Sequence, residues 1–254
     1  MLLEFIPADT AMDSFGGLPA HKGRIPSNFK PDFYAAMAEI QVGMSSVRFP
    51  MIGSIVKLFD GTYSVGAIPG IGGPFETAAE FFSSWAKECT FPFNELTIRE
   101  RTPPEVEDEI IKSINNFPSK LLEFAKHFPF QSGPFPIFHP DLKISNILVD
   151  SEYQIQGVID WEGAIVAPWE VVEFIKDLTL VPPVMSGYFY KEELTREKLS
   201  ERDSYLQMVK EKEAARQTDN KLSETLGNWR TQDLAHAFWL YSDGKIGFYS
   251  SIFE

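Results

Sequence analysis

The chain has 254 residues, enough for one large domain or two small ones with a sizeable core. Its 36 acidic and 23 basic residues give a net charge of −13, which disfavours nucleic acid and anionic membranes as partners and mildly favours cationic ligands. A single cysteine excludes an internal disulfide, and no apolar run or N-terminal segment has the form of a membrane span or a signal peptide, so we expect a cytoplasmic protein.

The N-terminal third begins with a strand pattern and continues into a helix and a hairpin. Residues 1–7 predict a strand broken by proline, and residues 8–30 predict a loop. Between Pro31 and Val47 the apolar residues recur at intervals of four and three, which predicts a helix with one apolar face. Residues 55–65 predict a β-hairpin around a two-residue Asp-Gly turn at positions 60 and 61.

Two further helices are predicted before the middle of the chain. Apolar residues from Ala78 to Cys89 recur at helical spacing. Thr102, followed by two prolines and a glutamate, has the pattern of a capping box at the start of a helix. Pro118 is expected to end or kink that helix, because proline removes a backbone hydrogen bond.

The most informative stretch lies at residues 136–162. A polar loop, residues 139–146, is followed by two β-rich runs, Ile147–Val149 and Tyr153–Ile159, which predict a hairpin. A hairpin with the polar loop at one end would allow Asp141, Asn146 and Asp160 to converge, which are two carboxylates and one amide. Such hard oxygen donors suit Mg²⁺ that carries substrate phosphates.

The C-terminal third is predicted to be helical. We expect helices at Trp169–Leu180, in the highly charged stretch 191–213, and at Thr231–Tyr241. The charged stretch is interpreted as a solvated helix. The fold class predicted for the whole chain is therefore α+β and mainly α-helical.

Two motifs that follow one another in the sequence resemble those of a known family. Residues 139–146, His-Pro-Asp-Leu-Lys-Ile-Ser-Asn, match the H-x-D-x-x-x-x-N catalytic loop of protein kinases and of antibiotic and choline kinases. Residues 158–162, Val-Ile-Asp-Trp-Glu, look like the I-D-W-E form that aminoglycoside phosphotransferases have where protein kinases have D-F-G. The chain resembles the aminoglycoside phosphotransferase (APH) family, particularly its fungal members, which share H-P-D and a stretch like residues 167–170.

The resemblance implies a protein-kinase-like C-terminal lobe with short β-hairpins, forming one domain over residues 1–254. In this division, residues 1–8 are the interlobe linker strand and residues 9–130 a helical region with the hairpin 55–65. Residues 131–165 hold the catalytic loop and the metal-binding hairpin, and residues 166–254 the C-terminal helices. No glycine-rich loop or strand lysine precedes the linker, so the chain looks like this lobe with the N-terminal lobe absent.

The family also implies an ATP-dependent kinase that uses Mg²⁺ and acts on a hydroxyl of a small molecule. Asp141 would be the base or hydroxyl-orienting residue, and Lys143 would hold the γ-phosphate. Asn146 and Asp160 would be the metal ligands. His139 is expected to order the loop without taking part in the reaction.

The nucleotide site implied by the resemblance lies on the linker and the hairpin. The carbonyl of Glu4 and the amide of Ile6 would pair with adenine. Leu148 and Ile159 would form an apolar floor beneath the base. Activity of this chain alone is expected to be negligible, because it has neither the glycine-rich loop nor the nucleotide-binding lysine.

Three functions remain to be weighed. A small-molecule phosphotransferase is favoured by the Trp-Glu pair after Asp160, although a lysine at position 143 is equally compatible with a hydroxyl on a protein. A kinase-like binding or scaffold module, incapable of transfer, is the alternative. A metal-dependent hydrolase using His139, Asp141 and Asp160 is disfavoured, because no second histidine stands at the spacing that a zinc site needs.

Overall fold

The structure, a computed structural model, describes residues 6–21, 24–127, 132–186 and 191–254, and it is an α+β fold in which helices predominate. The helices of these residues are α1 Ala11–Ser14, α2 Gly17–His21, α3 Lys30–Ser46, α4 Ala78–Glu88, α5 Glu95–Arg101, α6 Glu107–His127, α7 Pro183–Ser186, α8 Glu192–Arg216, α9 Lys221–Leu226 and α10 Trp229–Ser242. The strands are β1 Asp9–Thr10, β2 Arg48–Phe49, β3 Gly53–Lys57, β4 Tyr63–Gly66, β5 Phe135–Phe138, β6 Ile147–Val149, β7 Ile155–Val158 and β8 Ile165–Val166. None of the described helices combines the length and apolar character needed to cross a membrane.

Two small antiparallel sheets position the polar loops. One has the strand order β1-β6-β7 and the other the order β2-β5-β8-β3-β4. Strands β5 and β8 are neighbours in the larger sheet, and β6 and β7 are neighbours in the smaller one. The two connections between the sheets, residues 139–146 and 159–164, therefore lie side by side.

The core is built largely from aromatic side chains of α4, α6 and α10. Trp85 is fully buried, and its ring lies 5.3 Å from that of Phe117 and 5.2 Å from that of Phe238. Aromatic rings at such separations and tilted orientations add to the free energy of burial. The apolar face predicted for residues 78–89 is confirmed by this packing.

The charged helix α8 packs against α3. Tyr205 and Val209 of α8 are fully buried, and the Tyr205 hydroxyl donates to Gln41 Oε1 at 3.0 Å. The helices predicted at residues 31–47, 191–213 and 231–241 are confirmed. The interpretation of α8 as a merely solvated helix is wrong, because the sparse apolar residues of its sequence are the ones that meet α3.

The capping box predicted at Thr102 is absent. Helix α6 begins only at Glu107, and the Thr102 hydroxyl instead donates to the carbonyl of Ile98 at the end of α5. Helix α6 also continues through Pro118 to His127, so the expectation that this proline ends the helix is wrong. Phe117 and Leu121, on either side of the proline, are fully buried, and their packing stabilises this part of the helix. Helix propensity does not account for such tertiary contacts.

The hairpin of β3 and β4 has a longer turn than the predicted Asp-Gly pair. Gly61 N–H donates to the Leu58 carbonyl at 3.0 Å, so Phe59 and Asp60 occupy the centre of the turn. Gly61 follows with a φ of +86°, a conformation that glycine adopts without steric cost. Thr62 N–H also donates to Asp60 Oδ1 at 2.9 Å, and this Asx-turn hydrogen bond stabilises the longer turn.

The helix predicted at Trp169–Leu180 is wrong. Residues 167–180, here called the support segment, form extended backbone with two short 3₁₀ turns, Trp169–Val171 and Lys176–Leu178. Residues 167–175 are all buried, so an amphipathic helix with one wet face does not fit this position. The backbone instead bonds to its surroundings: Gln41 Nε2 donates to Glu173 O and Gln232 Nε2 donates to Val172 O.

Candidate active site

His139 joins the two connections between the sheets. Its side chain is buried, with Nδ1 3.2 Å from Asp141 N and Nε2 3.0 Å from Ile159 O. A neutral imidazole with its proton on Nε2 satisfies both bonds, because Nδ1 then accepts and Nε2 donates. The histidine therefore orders the loops, as the sequence predicts, and presents no free nitrogen to a substrate.

Asp141 lies in a cluster with two other residues of its own loop. Its Oδ2 lies 2.7 Å from Lys143 Nζ and accepts a hydrogen bond of 3.0 Å from Asn146 Nδ2. The side chains of Lys143 and Asp141 are 42% and 40% exposed, so both face solvent. The structure thus brings three of the predicted site residues into direct contact, with the carboxylate accessible to a bound molecule.

The orientation of Asn146 follows from its hydrogen bonds. Besides Asp141 Oδ2, Nδ2 donates to the Asp141 carbonyl at 2.9 Å, so the amide nitrogen faces Asp141. The opposite atom, Oδ1, accepts only a long bond of 3.3 Å from the Ser145 hydroxyl. The Asn146 carbonyl accepts from Ile159 N–H at 3.0 Å. The backbone of Asn146 is therefore bonded to the second connection, and its side-chain oxygen makes only this one long hydrogen bond within the described residues.

Asp160 follows Ile159 directly and is exposed. Its φ is +70°, a left-handed conformation that aspartate tolerates better than most residues. Its carboxylate has no hydrogen bond or ion pair to any part of the chain that the structure describes. The next residue, Trp161, fixes the turn, since its indole N–H donates to the Val158 carbonyl at 2.8 Å and its ring packs edge-on against His139.

The donor set of the site fits a hard divalent cation. Two carboxylates, Asp141 and Asp160, and the Asn146 amide oxygen stand on the two adjoining connections. No group of three His, Cys, Asp or Glu side chains that could hold a metal occurs within residues 6–21, 24–127, 132–186 and 191–254. Carboxylate and amide oxygens are the kind of ligand that Mg²⁺ takes together with phosphate and water.

An apolar surface lies next to the polar loops, on the β6–β7 hairpin. Leu148 is half-buried and pairs with Gly157, while Ile159 is exposed at the end of the hairpin. Ile6 Cδ1 lies 3.8 Å from the position that a Cβ on Gly157 would take, so Ile6 packs on the same hairpin. Glu4 lies outside the described residues. The predicted adenine floor and Ile6 are therefore adjacent in space.

Asp177 contacts the catalytic loop, and sequence reasoning missed it. Its Oδ2 accepts from Ile144 N–H at 3.2 Å, and burial raises the pKa of this carboxyl to about 6. The neighbouring Lys176 N–H donates to the Leu142 carbonyl at 2.8 Å. In the sequence, Asp177 follows a mainly apolar stretch, which is a position where an acidic residue often has a specific role. The helix predicted for this stretch gave no reason to place Asp177 beside the catalytic loop.

A buried ion pair underlies this contact. Lys176 Nζ pairs with Glu173 Oε1, and the side chains are 9% and 7% exposed. Burial lowers the pKa of Lys176 and raises that of Glu173, because both charged forms lose solvation. The Lys176 ammonium also lies 4.3 Å from the centre of the Trp239 ring, which compensates part of that loss.

A cavity of about 820 Å³ opens beside the catalytic loop. It is bounded by Lys143, Ile144 and Ser145 of the loop, by the end of the support segment, and by α3 and α8. A volume of this size accommodates a small organic molecule. The sequence does not indicate the cavity, because its walls come from five separate parts of the chain: Met12, residues 24–34, 143–145, 176–186 and 191–201.

Both connections lie within a region that matches a known protein family. A family model described as "APH: Phosphotransferase enzyme family" matches residues 31–171, which is more than half of the chain and includes both connections. No curated protein and no solved structure matches the chain.

Proposed function

Since the chain belongs to the phosphotransferase enzyme (APH) family, we propose that it is an ATP-dependent kinase that phosphorylates a hydroxyl group of a small molecule. The observation that carries the proposal is the contact of Asp141 with Lys143 and Asn146 beside an unpaired Asp160. Phosphoryl transfer requires placement and charge neutralisation more than covalent chemistry by the protein. These side chains supply both requirements in one cluster, in which Asp141, Lys143 and Asp160 face solvent and Asn146 is buried.

Each residue has a role that follows from its chemistry. Asp141 orients the acceptor hydroxyl and receives its proton. Asn146 Oδ1 and the Asp160 carboxylate are the groups that would hold Mg²⁺, which neutralises phosphate charge when bound. Lys143 is a point charge within reach of both the carboxylate and a γ-phosphate.

The nucleotide is proposed to lie along the β6–β7 hairpin. Leu148 and Ile159 form the floor beneath adenine, and the backbone of Glu4 and Ile6 faces the edge of the base. In this arrangement, the described residues correspond to the C-terminal lobe of a kinase-like fold. The 254 residues contain no G-x-G-x-x-G loop followed by a strand lysine. We therefore expect weak nucleotide binding and negligible transfer by these residues alone.

The cavity favours a small molecule over a protein as the acceptor. Its walls surround a volume of about 820 Å³ immediately beside the loop of Asp141. A volume of this size lies in the range of pockets that hold small organic molecules. The cavity therefore supports the small-molecule reading of the site.

The first test measures Mg²⁺-dependent nucleotide binding by titration calorimetry. Wild type is compared with Asp160→Asn, which removes the charge and keeps a residue that tolerates the left-handed conformation. Glu152→Gln is the matched control, because it removes one exposed charge from the turn of the same hairpin. We expect the Mg²⁺-dependent part of the binding to be lost only in Asp160→Asn.

Two results would count against the kinase assignment. Wild-type protein without any Mg²⁺-dependent nucleotide binding contradicts the metal and nucleotide sites together. Normal binding with no transfer of phosphate, even after a nucleotide-gripping lobe is fused to the N-terminus, favours a kinase-like binding module instead. Transfer is followed by the release of ADP from Mg²⁺-ATP in the presence of candidate acceptors.

A further inference from the structure

The cavity beside the catalytic loop gathers basic residues in a chain that is acidic overall. The whole chain has a net charge of −13, yet six basic and three acidic side chains line the cavity. The basic ones are Arg24, Lys30, Lys143, Lys176, Lys191 and Lys198, and the acidic ones are Asp177, Glu197 and Glu201. A pocket for a polycationic acceptor requires the opposite balance.

Two of the basic residues are neutralised by carboxylates outside the lining. Lys143 pairs with Asp141, and Lys176 pairs with the buried Glu173. The positive charges of Lys143 and Lys176 are therefore largely compensated by these carboxylates. The ligand preference of the cavity depends on the remaining four cations.

Two of these four cations share a single carboxylate. Lys30 Nζ pairs with Glu201 Oε1, and Lys198 Nζ lies 3.6 Å from Glu201 Oε2. The Tyr34 hydroxyl also donates to Oε2, at 3.4 Å. Glu201 thus faces two ammonium groups, and the Asp177 carboxylate also attracts Lys198. The excess of basic over acidic side chains in the lining therefore comes from the remaining cations.

The other two cations, Arg24 and Lys191, lie at exposed positions of the lining. Neither forms an ion pair with any acid in the described ranges, and the third lining acid, Glu197, likewise has no such partner there. Helix α3 begins at Lys30 without a side-chain cap, so the partially positive end of that helix also lies at this wall. The electrostatic balance of the cavity is therefore positive.

An apolar wall completes the lining. It consists of Met12, Ile25, Leu180, Val181 and Leu194. Apolar side chains beside a few placed charges are typical of pockets that bind small organic molecules. The cavity thus presents an excess of basic side chains and an apolar wall. At its edge it reaches Lys143 of the catalytic loop, whose ammonium lies 2.7 Å from Asp141 Oδ2.

We propose that the acceptor is a small hydroxy compound with an apolar body and an anionic carboxylate or phosphate group. Lys30 and Lys198 hold the anionic group, and the hydroxyl points to Asp141. This inference rests on the proposed function. In the transfer, the acceptor oxygen bonds to the γ-phosphorus, the bond from that phosphorus to the bridging oxygen breaks, ADP leaves, and the hydroxyl proton passes to Asp141.

The test uses four probes that share a hydroxyphenyl body and differ in charge. They are 3-(4-hydroxyphenyl)propionate, 4-hydroxybenzylphosphonate, the neutral alcohol tyrosol and the amine tyramine. Ligand-observed NMR titration without nucleotide measures their affinities for the full chain. We expect at least one anion to bind roughly tenfold or more tightly than the neutral and cationic probes, about 1.4 kcal/mol. The difference between the two anions distinguishes a carboxylate from a phosphate group.

Charge-removing variants locate the binding site. Lys198→Met and, separately, Lys30→Met should each weaken anion binding several-fold and leave tyrosol binding unchanged. Lys210→Met is the matched control, because Lys210 is exposed on the same helix as Lys198 and does not line the cavity. The use of two variants covers the case in which Lys198→Met perturbs folding through its bond to the Asp177 carbonyl.

The outcomes separate this inference from the kinase assignment. Tighter binding of tyramine, equal or absent binding of all four probes, or anion binding that is insensitive to both lysine variants overturns the anionic acceptor. Anion binding that depends on Lys30 or Lys198 in a protein without Mg²⁺-dependent nucleotide binding supports the anion site and overturns the kinase assignment alone.

Discussion

The catalytic loop (residues 139–146) and the support segment touch each other but are built in opposite ways. In the loop, the side chains of Asp141 and Lys143 are about two-fifths exposed and form the cluster proposed to act on the substrate. In the support segment, residues 167–175 are all buried, and the contacts to the loop use the backbone of Leu142 and Ile144. Chemistry and positioning thus belong to different segments, and substitutions in the two should affect activity and stability differently.

The largest expected effect is on activity, at Asp141. In the chain fused to an N-terminal nucleotide-binding lobe, Asp141→Asn preserves the shape of the side chain but removes the group that receives the proton, so transfer should fall by about 10²–10⁴-fold. Stability should change by less than about 1 kcal/mol, because the pair with Lys143 is exposed. Steady-state kinetics and thermal unfolding of the same samples measure both quantities. Full activity in this variant would move the role to another residue.

The next effect is on stability, at Asp177. Asp177→Ala leaves the N–H of the buried Ile144 without its acceptor, which should cost about 1–3 kcal/mol in the free energy of unfolding. Asp177→Asn retains an acceptor oxygen and is the matched control. Because the pKa of Asp177 in the fold is about 6, its contribution to stability is lost as pH rises from about 4 to 6, and Asp177→Asn should abolish that loss. Equal stability of both variants at pH 7 would contradict the assigned contact.

An effect of similar size is expected at His236, behind the support segment. Its ring nitrogens have no hydrogen-bond partner among the described residues, and burial lowers its pKa to about 3. The unfolded chain takes up this proton near pH 6.5, so folding should lose about 2 kcal/mol from this residue between pH 7 and pH 5. His236→Phe should remove that loss in urea titrations at the two pH values. His127→Gln, at an exposed histidine, is the control and should keep the wild-type pH dependence.

The smallest effects on stability are expected at two glycines that lie outside both regions. Gly61→Ala places a side chain at a φ of +86° in otherwise open space, so backbone strain alone should cost about 1 kcal/mol. Gly43→Ala, inside helix α3, should instead stabilise the fold by up to about 1 kcal/mol, since its Cβ would meet the nearest atom at 3.6 Å. Denaturant unfolding measures both, and a stabilised Gly61→Ala would contradict the conformation of the turn.

The sequence predicts the two regions with unequal success for a physical reason. The β-hairpin after the catalytic loop has short β-rich runs separated by turn residues, and these local signals place Asp141, Asn146 and Asp160 on adjoining connections. The support segment is apolar throughout, so helical periodicity cannot be distinguished from a buried extended chain. Its course depends on bonds to Gln41 and Gln232, which are distant in the sequence.

The net charge of the sequence is a similarly limited guide to what the cavity binds. The net charge of the chain predicts a mild preference for cationic ligands, whereas the proposed acceptor cavity is lined mainly by basic residues. Net charge describes the average field around a molecule, and the field inside a cavity depends on a few side chains that the fold brings together. Lys30 and Lys198 are separated by most of the chain, and both pair with Glu201.

His139 sets the spacing of the two backbone connections that carry the proposed metal ligands. A rigid aromatic ring, bonded at one end to the Asp141 amide and at the other to the Ile159 carbonyl, fixes how far apart the two connections stand. Mg²⁺ tolerates little variation in its ligand distances, whereas larger cations such as Ca²⁺ accept looser geometry. If Mg²⁺ binds as proposed, the ring of His139 would favour it over larger ions without touching it, and a shorter or more flexible residue at position 139 would relax that preference.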